Sequence, residues 1–296
     1  MKKSVIVSII LLVFFIILVI FAYFKFFDST PGIPNNTKSN VSVFNIGLVT
    51  SNQSDINRYQ SFIDFCNANS RFRWYLTPLK NNGDFINKIQ EGRLQGGFAG
   101  SFVMMELIKS DEITPIFRPV KNGVTHYSGA IIVRKDRGIS KLEDLRGKRF
   151  AFTDPFTSSG YLTAIEELKK IDVDPDNFFG AMAFLGSFEN VAKAVSNGEF
   201  DAGALKKSVW DKYAFQNASS SAEVYVLKVT GKFPESTFFL SKNAYSPEVL
   251  DDINKILNKI RNTDEGSELK KKFDFDSFDE ANSEEYVELT NEFDVD

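Results

Sequence analysis

The sequence predicts an α/β fold carried behind a single N-terminal membrane span. Two observations predict it. Short runs rich in Val, Ile and Phe alternate with amphipathic runs of about ten residues, the pattern of strands joined by helical crossovers in a parallel sheet. Ahead of them, the 20 residues from Val5 to Phe24 carry no charge. At about 1.5 Å per residue such a run spans about 30 Å, the thickness of a bilayer core.

Lys2 and Lys3 precede this span, and its only polar members are Ser8 and Tyr23. A cleaved signal has a shorter apolar region, about 7–15 residues, and ends at small residues. Phe21 to Phe27 is bulky and includes Lys25. Residues 1–27 are therefore expected to be an uncleaved anchor, with a cleaved signal as the alternative. The positive-inside bias puts the N-terminus in the cytoplasm and the rest on the extracytoplasmic face, in a periplasm or at the cell surface. Residues 28–40, DSTPGIPNNTKSN, read as a polar linker. What remains of the 296-residue chain suffices for one large domain or two lobes.

The elements follow in order. VFNIGLVT (Val43 to Thr50) reads as a strand, and the next helix puts Tyr59, Phe62, Ile63, Phe65 and Cys66 on one side. FRWYLTPL is a strand, GDFINKIQEG a helix ending at Gly92, GGFAG a short strand, SFVMMELIKS a helix and ITPIFRPV a strand. SGAIIVRK is a strand and ISKLEDLRG a short helix closing at Gly147. KRFAFTD is a strand, and GYLTAIEELKKI a helix with Leu162, Ile165 and Leu168 inward. AMAFLG, ENVAKAVSNG and FDAGAL repeat strand, helix, strand. A last unit starts near Glu223 with VYVLKV, STFFLSK and the long helix PEVLDDINKILNKIRN. The acidic C-terminal tail, rich in Phe, is expected to dock in part as a helix.

Composition narrows the function. With a net charge of −4 and scattered basic residues, the chain has no electrostatic footprint for nucleic acid. One His, one Cys and no HExxH, CxxC or GxSxG leave little for catalysis, so no enzyme and no cofactor are expected. Cys66, among apolar residues at helical spacing, reads as a small buried hydrophobe. In DVDPDN, a calcium loop starting at Asp172 would need Gly and Glu where Asn177 and Ala183 stand, so no metal is expected.

The stretch DPFTSSGYL (Asp154 to Leu162) sits between a strand and a helix, and Thr157, Ser158 and Ser159 offer three hydroxyls where one cap needs one. A helix N-terminus has unpaired N–H groups and partial positive charge, hence attracts anions. Gly160 is expected to let an oxyanion approach the backbone. The turn has no Lys, so it is no P-loop.

GKRFAFTDPFTSSGYL resembles the signature region of phosphate/phosphonate-type periplasmic binding proteins, the solute receptors of ABC importers. RPVKNGVTHYSGAIIVRKDRGISKLEDLRGK upstream, GSFENVAKAVSNGEFDAGAL downstream and VFNIGLVTS in front extend the likeness over roughly Val43 to Ser241. The resemblance implies a type II, two-lobed periplasmic-binding-protein fold with parallel-rich sheets, closing on its ligand like a hinge. Lobe one would comprise residues 41–124 and return over 223–296; lobe two would be 125–222. It also implies that Thr157, Ser158 and Ser159 hold the ligand's oxygens and that Tyr127 lines the cleft, with His126 beside it facing away. Lobe one should add the strand ends Thr50, Ser51, Gly100 and Ser101, since ligands sit at the carboxyl ends of parallel strands.

Two positions depart from the family's pattern. Phe188, in GSFEN, stands where a histidine often helps hold the oxyanion. Glu235 and Ser236, in FPESTFF, stand where a carboxylate is expected for a ligand amine. The anion half of the site looks kept and the amine half altered, which argues against aminoethylphosphonate. The resemblance thus implies an extracytoplasmic receptor for a small oxyanion, phosphonate- or phosphate-like, delivering to an ABC permease. The alternatives are a membrane-tethered sensory domain signalling to a partner protein, and a ligand-free interaction protein in which Phe188 marks a lost site. Sequencing the N-terminus of the protein from a membrane fraction should show Val5 to Phe24 still attached; a start beyond Phe24 contradicts the anchor.

Overall fold

Alternating strand and helix runs fold here onto two sheets. The computed structural model describes residues 42–50 and 52–293. The predicted span, the linker and Ser51 lie outside them, and among the described residues no helix is long and apolar enough to cross a membrane.

The first sheet contains β1 (Val43–Val49), β2 (Arg73–Leu79), β3 (Gly96–Ala99), β4 (Ile113–Val120), β10 (Thr237–Ser241) and β11 (Ser277–Glu280), in the order β11-β4-β10-β3-β1-β2. Helices α1 (Gln53–Asn69), α2 (Asn82–Gln90) and α3 (Ser101–Lys109) join its early strands. Helices α8 (Pro247–Asn262), α9 (Asp264–Phe273) and α10 (Ser283–Phe293) complete this lobe. The second sheet contains β5 (His126–Arg134), β6 (Arg149–Phe152), β7 (Ala181–Phe184), β8 (Ala202–Lys206) and β9 (Val224–Pro234), in the order β7-β6-β8-β5-β9. Its helices are α4 (Thr163–Lys169), α5 (Phe188–Ser196), α6 (Lys207–Gln216) and α7 (Ala218–Ser221).

The sheets are mixed, which corrects the parallel-rich expectation. β1 runs parallel to β2 and β3, and β6 to β7 and β8. β10 is antiparallel to β3 and β4, β11 to β4, and β5 to β8 and β9. Parallel neighbours need a helical crossover. The chain instead reaches β5 and β10 by stepping directly from one sheet to the other, and these strands enter antiparallel.

The lobe boundary shifts for the same reason. Val224 to Pro234 is one eleven-residue strand paired with β5, Arg134 opposite Val224 and His126 opposite Pro234. The second lobe therefore extends to Pro234, and the chain returns at Glu235–Ser236 rather than at Glu223. The two steps lie side by side: the Glu235 N–H donates to the Thr125 carbonyl at 2.9 Å. The Ser101 hydroxyl, at the start of α3, donates to the Pro234 carbonyl at 2.9 Å.

Both faces of each sheet are covered, so central strands are apolar throughout rather than alternating. On β10, Phe238 and Phe239 point to opposite faces. Phe238 stacks on Phe117 (4.9 Å between ring centroids) and meets Phe98 (5.0 Å), whereas Phe239 faces Phe85 (5.8 Å). Burying a phenyl ring is worth about 1.5–3 kcal/mol, and Phe recurs through the core of both lobes. Cys66 lies in the α1 core contact, where burial raises its thiol pKa. The acidic tail docks through α10: the buried Arg118 of β4 pairs with Glu285, and the Tyr286 hydroxyl meets Thr237 Oγ1 at 2.6 Å.

Candidate functional site

One helical N-terminus from each lobe ends at the same cavity. In lobe one, α3 begins directly after β3 with Gly100 as N-cap, and no side chain caps it. In lobe two, the hydroxyl turn opens as a π-helical turn, Ser158–Leu162, that continues into α4, again without a side-chain cap. The wide turn delays the first helical bond to the Leu162 N–H, which donates to the Thr157 carbonyl at 3.0 Å. The amides of Ser158, Ser159 and Gly160 precede that bond, and π turns of this kind recur at functional sites.

The three hydroxyls are not caps. Thr157 Oγ1 donates to the Asp154 carbonyl at 2.7 Å. Ser158 and Ser159 are 3% and 1% exposed, and neither Oγ makes a hydrogen bond within the protein. Leaving a buried hydroxyl unpaired costs about 1–3 kcal/mol, a cost a bound acceptor would remove. Close approach seats the turn: a Cβ on Gly129 of β5 would lie 3.0 Å from the Ser159 Cβ. At Gly160 a Cβ would come within 2.6 Å of Thr153, so this glycine lets the turn fold back on β6. Gly160 itself does not line the cavity.

The cavity has a volume of about 210 Å³. Lobe one contributes Gly100 and Ser101, lobe two Tyr127, Thr157, Ser158 and Phe188, and the returning step Glu235 and Ser236. Ser159 is buried and does not line the cavity. Thr50, expected here from its strand end, is not on the wall either. Its hydroxyl accepts from the Asn52 N–H at 3.1 Å and faces Asp55 at 3.3 Å, so it shapes the entry to α1. Burial pushes the Tyr127 phenol up, opposed by the nearby Ser158 and Ser101 hydroxyls, so Tyr127 remains a neutral O–H donor. Ser158 is thus close to Tyr127 without hydrogen-bonding geometry between them. His126 points into a separate groove, where its Nε2 lies 3.0 Å from Glu285.

Several wall residues were not anticipated from the sequence. Lys206, at the carboxyl end of β8, donates to both oxygens of Glu235, at 2.8 and 2.6 Å. The strand-end rule, applied to lobe two as it was to lobe one, would have found it. Asn82, which opens α2, reaches across the cleft to Asp154 (3.3 Å) and the Phe156 carbonyl (3.4 Å). Phe102 of α3 and Phe156 of the turn meet edge to face, 5.8 Å between centroids. Phe156 lay within the turn already singled out, but its hydroxyls alone gave a chemical signal.

Two α/β lobes joined by two adjacent steps, with a polar cavity at the joint, make this a two-lobed periplasmic-binding-protein fold. Comparison with solved structures agrees. XAC2383 from Xanthomonas citri, bound to chloride ion, superposes with a TM-score of 0.74 at 19% identity, covering 85% of this chain and 97% of that one. PhnD1 from Prochlorococcus marinus, in complex with methylphosphonate, gives 0.71 at 19% identity over 86% and 99%. In sequence, the phosphate-import protein PhnD of Mycolicibacterium smegmatis is 27% identical over 179 residues, 56% of each chain, so the chain matches little more than half of that relative's length. The family described as ABC transporter, phosphonate, periplasmic substrate-binding protein matches residues 46–286. The chain belongs to this family of phosphonate-type periplasmic substrate-binding proteins.

Because the buried serine hydroxyls have no partner in the protein, Ser158→Ala and Ser159→Ala should leave the ligand-free protein as stable as before or more so. Denaturant unfolding checks this. A loss above about 1 kcal/mol, the typical cost of a removed N-cap, would show that they cap the helix after all.

Proposed function

We propose that this chain is the extracytoplasmic receptor for a small phosphonate- or phosphate-like oxyanion, delivering it to an ABC permease while held at the membrane by Val5 to Phe24. The observation that carries this reading is the pair of uncapped helical N-termini, one per lobe, facing one cavity beside the unpartnered Ser158 hydroxyl. Helix N-termini favour anions through their N–H groups and dipoles. Ser158 and Tyr127 can add hydroxyl donors, whereas the Thr157 and Ser101 hydroxyls already give their protons to the Asp154 and Pro234 carbonyls; the buried Ser159 packs against Gly129. At about 210 Å³ the cavity falls below the roughly 300–1,000 Å³ of drug-sized sites, which suits a small ligand. Relatives named for phosphate import and phosphite binding, and one solved with methylphosphonate, support the same ligand class.

The place of the cavity suits a receptor that signals occupancy by closing. A ligand held by both lobes adds contacts available only when they meet, so it shifts the population toward the closed form.

Titration calorimetry with inorganic phosphate, phosphite and methylphosphonate tests the reading. At least one should bind, and Ser158→Ala should weaken it by about 1.5–3 kcal/mol, the worth of a hydrogen bond to a charged group. Undiminished binding in a Ser158→Ala/Ser159→Ala double variant would contradict a role for the turn in holding the anion.

A further inference from the structure

The charged side chains of the cavity wall, among the described residues, are Lys206 and Glu235, and they are spent on each other. Both carboxylate oxygens of Glu235 accept from Lys206 Nζ. The same ammonium lies 4.3 Å from the centroid of the Tyr127 ring. The Tyr127 hydroxyl in turn neighbours Ser158 and Ser101, where the two helical N-termini converge. A fixed positive charge therefore stands about one aromatic ring away from the seat of the oxyanion, and the carboxylate behind it is already matched. Much of the remaining wall is apolar: Phe102 and Phe156 in edge-to-face contact, with Val103 and the half-buried Phe188.

Resting on the oxyanion reading above, we propose that the site selects phosphonates with an uncharged, apolar substituent, and that the Lys206–Glu235 pair is the determinant that rejects amino-substituted ones. An alkyl or aryl group can lie against the phenyl rings and leave the ion pair intact. A ligand ammonium has two poor choices. Near Glu235 it competes with Lys206 for the same oxygens and meets a like charge. Against Phe102 and Phe156 it gives up water, and the acceptors there, the Asp154 carboxylate and the Phe156 carbonyl, are already engaged by Asn82. Selection here comes as much from the repulsive element as from the attractive one. Matched by Glu235, Lys206 leaves the wall close to neutral toward the phosphonate group, so the pair filters the substituent without weakening the anion's hold.

The test compares two ligands of nearly equal shape, n-propylphosphonate and 2-aminoethylphosphonate, titrated into the full-length protein beside methylphosphonate and inorganic phosphate. The wild type should bind n-propylphosphonate at least about tenfold more tightly than 2-aminoethylphosphonate, and more tightly than phosphate. Lys206→Met, which keeps the stem and removes the charge, should free Glu235 and shrink the first ratio severalfold, whereas Lys206→Arg should keep it. The wild-type comparison stands even if a variant folds poorly. Equal or tighter binding of 2-aminoethylphosphonate, or of phosphate over n-propylphosphonate, overturns this inference and leaves the oxyanion reading in place. Failure of all four to bind overturns both.

Discussion

Two neighbouring backbone steps, from Val120 to His126 and from Pro234 to Thr237, are the covalent links between the two sheets, and the Glu235 N–H bonded to the Thr125 carbonyl ties them into one joint. The cavity sits at this joint. Tyr127 follows directly after the first step, Glu235 and Ser236 form the second, and Ser101 is bonded to the Pro234 carbonyl. Few backbone torsions separate the lobes, so small rotations there open or close the wall between α3 and the hydroxyl turn. Hinges of this kind need only a few element-terminal residues to absorb the change. On the far side of the cavity, Asn82 and Phe102 of lobe one already touch Asp154 and Phe156 of lobe two.

Stability and binding pull in opposite directions at the turn. A chain selected only for stability would cap α3 and the π turn and would pair or remove the buried hydroxyls of Ser158 and Ser159. It does neither, and the unmet hydrogen bonds point into or behind one small cavity. The surrounding core supplies what the turn forgoes: the turn is braced by Gly129 and Thr153 and continues into α4, whose face packs on the Phe-rich core of lobe two. Lys206 and Glu235 follow a different logic. They satisfy each other, so they contribute shape and field rather than an open valence.

The sequence was most readable where one residue's environment is local. The strand–helix alternation, the apolar TFFLS strand and the hydroxyl turn each announce themselves within a few residues. Alternation separates Tyr127 from His126: Tyr127 lines the small cavity, His126 does not, and both border the larger groove beside Glu285. Features fixed by distant partners were harder to read. The strand Val224–Pro234 could be assigned to its sheet only by its pairing with β5, about a hundred residues earlier in the chain. Lys206 and Glu235 stand 29 residues apart on different elements, so their pairing has no sequence signature. Thr50 and Gly160 also have distant or structural partners that the sequence does not show. Both residue types suit an anion site, yet one shapes the start of α1 and the other relieves contact with Thr153.

On this account an oxyanion is gripped between helical N-termini of opposite lobes. A crystal structure of the protein grown with methylphosphonate tests it most directly. The phosphonate oxygens should accept hydrogen bonds from the first-turn amides of α3 and from the Ser158–Gly160 turn, with Ser158 Oγ turned toward them. Methylphosphonate held by one lobe alone, or seated in the groove of about 740 Å³ beside His126 and Glu285, would contradict it.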